Sequence, residues 1–249
     1  PIIVYSEEEL SVMREVRDKL VGEHKVDPST IGPRILALTT IINKLRVNQA
    51  VKGYLKFKDG LALVNIDQCA EEVTQDVEAY LDRCYQPCGV DPEGRRIMWI
   101  KGKDNPKPEE EQNWSQAGVW YWMAIHADNV SLRNGIHFVI DVTNKPKDEY
   151  GNAQKLQKIN QCFPLRPQAI LIAGTNTVSR LFINGLIKVA SVFAKAKVLK
   201  RIKFVTIEEA KESVSKENCP KYLGGNGGGI DHVVEWVKER LENFPVPKL

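Results

Sequence analysis

Cysteine is scarce in this chain: five residues (Cys69, Cys84, Cys88, Cys162 and Cys219) among 249. That count is too low and too odd for a disulfide framework, which needs more bridges in a shorter chain. Cys84 and Cys88 stand four apart with no second pair, a poor zinc pattern. Reduced thiols, and so a cytoplasmic location, are expected. Long hydrophobic runs are also missing. No stretch of about 18 uncharged apolar residues occurs, and the most apolar window, Leu181 to Ala196, is interrupted by Asn184, Lys188 and Lys195. No signal peptide is expected, because the opening Pro1 to Tyr5 is short and runs into acids. Charge of one sign is not in excess. The 35 lysines and arginines against 32 aspartates and glutamates leave +3, too little for a general nucleic-acid binder. Any basic patch must be local.

Catalytic signatures are absent as well. There is no G-x-S-x-G elbow, no H-E-x-x-H and no Walker loop, so no enzyme is expected. The four histidines (His24, His126, His137, His232) are scattered, and none pairs with a second ligand at metal spacing. The run Gly224 to Gly229 fails as a phosphate cradle: read as G-x-G-x-x-G from Gly225, its last position is Ile230. A turn into the last helix is the main reading, anion binding the other. His137 points away from the face carrying Ile136 and Phe138 and reads as structural. Asp141 closes a core strand without a second charged partner in view, which favours a structural hydrogen bond over catalysis. His126 lies one helical turn from Trp122 and shares its face. It is either the polar handle of a pocket or an ordinary helix-end residue.

What is present is an ordinary globular composition, 43% hydrophobic and 27% charged, in a pattern that changes along the chain. The first third reads as helical. Ser6 and Glu9 form a capping box for a helix to Gly22. Further helices follow at Pro33 to Asn43, Val47 to Phe57 and Asp67 to Arg83. After the turn Asp91-Pro-Glu-Gly94, strands at Arg96 to Lys101, Ile136 to Thr143, Ala169 to Ala173 and Ile202 to Val205 alternate with helices at Asn113 to Ala127 and Val178 to Leu199. An amphipathic helix, Ile230 to Leu241, ends the pattern. Strands alternating with helices imply a largely parallel sheet. The expected fold class is α/β, with a helical subdomain (residues 1–75) before a mixed, largely parallel sheet covered by helices (residues 76–249).

Two features stand out. The helix Leu181 to Phe193 is apolar almost all round, so it is buried in a core, faces a membrane or covers a greasy cavity. Directly after it, Lys195, Lys197, Lys200, Arg201 and Lys203 carry no acid among them. They form either a solvated face or a contact for anionic membrane lipids, where each cation is worth about 1 kcal/mol.

Five motifs in order carry a resemblance to a known family. They are Asp91-Pro-Glu-Gly-Arg-Arg-Ile97, Asn134-Gly-Ile-His-Phe-Val-Ile-Asp141, Phe163-Pro-Leu-Arg-Pro-Gln-Ala-Ile-Leu-Ile-Ala173, Val198-Leu-Lys-Arg-Ile-Lys-Phe204 and Cys219-Pro-Lys-Tyr-Leu-Gly-Gly225. Together they resemble the CRAL-TRIO lipid-binding domain. The resemblance implies a cage in which a sheet floors an apolar pocket and a mobile helix gates it. On this sequence the gate falls on Leu181 to Phe193, with Phe182, Leu186, Val189 and Phe193 turned to the ligand. The floor is Ile136, Phe138 and Ile140 with Ile170 and Ile172, which share faces by strand alternation. Ser115, Gly118 and Trp122 form the wall, Phe163 closes one end, and His126, one turn beyond Trp122, joins the site as its candidate polar handle. Arg166, Lys197 and Arg201 fall where members contact phosphoinositides, and Lys200 of the same basic run is counted with them.

Departures mark a divergent member. Leu165 replaces the acid that helps bind an inositol headgroup, Gly174-Thr-Asn176 replaces Asn-x-Pro, and Lys188-Val189 replaces Lys-Pro. A more apolar, single-headed ligand is therefore expected. The implied function is to bind a hydrophobic small molecule or lipid and carry or present it between membranes. The protein would be a monomer that docks transiently on an anionic membrane surface, with no cofactor beyond the bound lipid. The alternative is a non-catalytic scaffold of the same fold that binds a protein partner such as a small GTPase.

Overall fold

The structure is a computed structural model that describes residues 3–70, 72–101, 107–143, 158–159, 161–174, 200–215 and 217–249. The expected helix Val178 to Leu199 lies outside these residues.

Helices α1 (Glu7–Gly22), α2 (Pro33–Ile42) and α3 (Val47–Leu63) open the chain. The α1 capping box forms as expected: Glu9 N donates to Ser6 Oγ (3.1 Å) and Ser6 N donates back to Glu9 Oε2 (2.9 Å). Glu9 has a second use. Arg133 clamps its carboxylate through Nε and Nη2, both at 2.8 Å, and ties α1 to a part of the chain 124 residues away. α3 runs past Phe57 to Leu63, and its Gly60 lets another segment pass close. A Cβ there would stand 2.6 Å from Cys162 Cβ and 2.8 Å from Ile159 Cδ1. α4 is Gln75–Cys84, starting later than Asp67. The Asp67 carboxylate accepts from Cys69 N (2.7 Å), and this local turn competes with helix.

β1 (Ile97–Lys101), β2 (Ile136–Asp141), β3 (Pro167–Gly174) and β4 (Ile202–Thr206) form one sheet in the order β1-β2-β3-β4, every pair parallel. Among the described residues, two helices lie between β1 and β2: α5 (Glu111–His126) and the short α6 (Asn129–Asn134). α6 escapes a sequence reading because it is six residues long. It exists because Asp128 accepts from Val130 N and Ser131 N at its start. Gly135 follows it at φ +84°, where a Cβ would meet the Arg166 carbonyl at 2.2 Å. That close approach lets Ile136 N donate to Arg166 O (3.1 Å). α7 (Ile207–Ser213) was also not legible, although Thr206 and Glu209 make a second capping box. α8 (Val233–Glu242) buries Val233, Val234, Val237 and Leu241 as the periodicity requires.

The two faces of the sheet belong to two cores. Alternation sends Met98, Ile100, Ile136, Phe138, Ile140, Ile170, Ile172 and Ile202 into a large core shared with α1–α5 and α8. Ile97, Trp99, Val139, Leu171, Ala173 and Val205 join a small core with α7 and the Tyr222–Leu223 segment. The large core runs across residue 75, so the N-terminal helices and the sheet share buried surface.

Candidate functional site

The large-core face of the sheet is a grid. Register aligns Met98, Phe138, Ile170 and Ile202 in one cross-strand row, and Ile100, Ile140, Ile172 and Phe204 in the next. All five expected floor residues are buried on this one face. Strand alternation selects them because a parallel strand shows every second side chain to each side. Met98 and Ile100 belong to the same grid, and alternation along β1 was the signal that would have found them. Phe204 ends its row 43% exposed, at the sheet edge.

The expected wall residues sit on α5. Ser115, Gly118, Trp122 and His126 recur at helical spacing, and all four are buried. Trp122 meets the Phe163 ring edge-on (centroids 5.0 Å apart, 78°), and the His126 ring lies 5.9 Å from the same ring. On its far side Phe163 meets Phe57 of α3 edge-on at 4.8 Å. Nothing in the sequence ties Phe57 to Phe163, because the pairing depends on the Gly60 crossing.

This wall has unanswered polar atoms. Ser115 Oγ, Trp122 Nε1 and His126 Nε2 are buried and have no hydrogen-bond partner among the described residues. Leaving a buried donor or acceptor unpaired costs about 1–3 kcal/mol, so three along one helix face is a costly arrangement. His126 Nδ1 lies 2.7 Å from the Trp122 carbonyl. Burial pushes the His126 pKa down to about 4, so the ring is neutral near pH 7.

The basic side assembles in part. Arg166 and Arg201 precede β3 and β4, neighbouring strands that run parallel, so both stand at one end of the sheet. Arg166 donates to the Arg133 carbonyl and Arg201 to the Pro167 carbonyl. Burial and then the Arg201 charge lower the Arg166 pKa. No carboxylate pairs with either among the described residues, whereas Arg95, Arg96 and Arg133, at the same end, have Asp91, Asp128 and Glu9. Lys200 and Lys203 are exposed. Lys197 and the gate residues Phe182, Leu186, Val189 and Phe193 lie outside the described residues.

Other candidates resolve into structure. Asp141 accepts from Thr143 N and Oγ1, and from Tyr222 OH at 2.5 Å. Tyr222 in turn accepts from Trp99 Nε1 (2.8 Å), so the carboxylate locks a loop to the sheet. The glycine run is a turn: Gly227, Gly228 and Gly229 all have φ between +66° and +75°, and a Cβ on Gly228 would touch Gly89 Cα at 2.4 Å. His137 Nε2 lies 3.3 Å from Asp91, which also holds Arg95. Among the described residues no cluster of His, Cys, Asp and Glu could hold a metal, and no helix is long and apolar enough to cross a membrane. An open groove of about 360 Å³ between α3 and residues 66–69 contains none of the expected site residues.

A family model described as the CRAL/TRIO domain matches residues 82–225, more than half of the chain. The match takes in all four strands, the α5 wall and the Tyr222 loop, and leaves out α1–α3 and α8. No curated protein matches the chain.

Proposed function

Because the chain belongs to the CRAL/TRIO domain family, whose domain points to binding of lipids or small hydrophobic ligands, we propose that it carries or presents one such molecule between membranes. The observation that carries this reading is the pairing of a floor and a wall. A two-row apolar grid shares its core with a helix face bearing three buried polar atoms that have no partner among the described residues. Left unanswered, each of those atoms costs stability, and three of the seven such atoms among the described residues fall on this one helix face. A ligand with a long apolar body and a small polar head answers both surfaces.

Each buried CH₂ is worth about 0.8 kcal/mol, so a lipid chain leaves a membrane only for a comparably apolar enclosure. The gate is proposed as Leu181 to Phe193. Its near-continuous apolar sequence matches the apolar grid whose core α5 shares. Arg166, Lys197, Lys200 and Arg201 would then hold the mouth against anionic headgroups.

Native and denaturing mass spectrometry of the full chain purified from cells test the reading. A hydrophobic molecule retained in near-stoichiometric amount is the expected result. Equal masses, together with no uptake of lipid from vesicles, would overturn it and leave a scaffold of the same fold.

A further inference from the structure

Two of the α5 atoms that lack a hydrogen-bond partner among the described residues define the chemistry of what they can bind. The carbonyl of Trp122 offers only lone pairs, so the 2.7 Å contact from His126 Nδ1 requires the proton to sit on Nδ1. The neutral ring then has a bare lone pair at Nε2, and that atom is buried without a donor. Trp122 Nε1, one helical turn earlier on the same face, is the complement: an N–H that can only donate, buried without an acceptor. Both rings meet Phe163, so a ring with an acceptor and a ring with a donor flank the same apolar ring. The charges nearest His126 are Asp128 and Arg240, and they pair with each other at 2.8 Å.

We infer that the ligand of this site carries a neutral hydroxyl head, which donates to His126 Nε2 and offers its oxygen lone pairs to the Trp122 indole N–H. A hydroxyl is the smallest group that both donates and accepts. An ionised carboxylate or phosphate accepts only, so it sets its lone pairs against that of Nε2 and brings a charge into a buried place where, among the described residues, the cation acting on His126 is Arg240, held by Asp128. An ether or ester satisfies the indole alone and leaves Nε2 as it was. The inference rests on the lipid-binding reading and narrows it to alcohols and phenols with a long apolar body.

The test is a competition on the full chain among three probes with one C18 tail: octadecan-1-ol, octadecyl methyl ether and octadecanoate. Each is delivered from cyclodextrin, and retention is read by native mass spectrometry. The alcohol is expected to win over the ether by about tenfold, the size of one net buried hydrogen bond, and over the carboxylate by more. His126→Phe is expected to abolish the preference for alcohol over ether while retaining the ether. Should that variant fail to fold, the wild-type ¹⁵N spectrum serves instead: the His126 Nε2 signal moves upfield when the alcohol is added and stays put with the ether. Equal retention of alcohol and ether, or preference for the carboxylate, overturns the hydroxyl head and spares the lipid-binding reading. Retention of none of the three, with vesicle lipid refused as well, removes both.

Discussion

At the scale of single residues, the most informative side chain is His126. It is wholly buried, and burial drives its pKa from 6.5 to about 4. The unfolded chain therefore takes up a proton near pH 6.5, while the folded chain refuses one until about pH 4. The stability associated with the neutral ring is complete above pH 6.5 and is lost progressively as the pH falls towards 4. The loss is about 3 kcal/mol by linkage. Urea titrations of wild type and His126→Phe at pH 7.5 and 4.5 are expected to show a steeper decline for wild type, and parallel declines would refute the burial argument. Glu9 acts in a lower window. Burial raises its pKa, but the Arg133 hydrogen bonds and those from Ser6 outweigh that and leave it depressed. Its contribution is present above the unfolded value of 4.5 and is lost below it. Glu9→Gln is expected to cost about 2 kcal/mol at pH 7, the range of a hydrogen bond to a charged partner. In an Arg133→Ala background the same change should cost far less, and full additivity in that double-mutant cycle would deny the clamp.

At the scale of elements, α3 and the segment that crosses it set the position of Phe163. Gly to Ala inside a helix ordinarily gains up to about 1 kcal/mol. At Gly60 the added methyl would press on Cys162 Cβ, which sits on the backbone and cannot swing aside, and overpacking of this kind costs about 1–3 kcal/mol. Gly60→Ala is therefore expected to lower stability and to shift Phe163 off Trp122. A thermal melt that rises would show the crossing to be looser than described. This crossing also explains the limits of sequence reading. Elements governed by local rules were legible: the Ser6–Glu9 box, the alternation of Ile136, Phe138 and Ile140, and the spacing of Val233, Val237 and Leu241. The shared faces of the expected floor residues on β2 and β3 follow from the same alternation, whereas the wall on α5 came from the family resemblance. Phe57, α6 and the full length of α3 were not legible, because each depends on a partner far along the chain or on a cap too short to give a period.

At the scale of the whole molecule, charge and exposed apolar surface meet at one corner of the sheet. Arg166 and Arg201 open β3 and β4 without acidic partners among the described residues, and exposed Lys200, Lys203 and Phe204 stand on the edge strand beside them. With about 1 kcal/mol per cation near an anionic surface, the double reversal Lys200→Glu and Lys203→Glu is expected to weaken co-sedimentation with phosphatidylserine vesicles at least tenfold. Added salt should erase the difference. Neither lysine is buried, so stability should be unchanged, and vesicle binding that ignores both the reversal and the salt would mark the corner as solvated surface.

The two faces of the sheet allow a direct test of where a lipid sits. With a ¹³C-labelled lipid loaded into methyl-labelled protein, intermolecular NOEs are expected to Ile140, Ile170 and Ile172, and none to Val139 or Leu171, one residue away on the opposite face. Contacts to Val139 and Leu171, or a retained lipid that touches neither face, would contradict a ligand enclosed between the grid and α5.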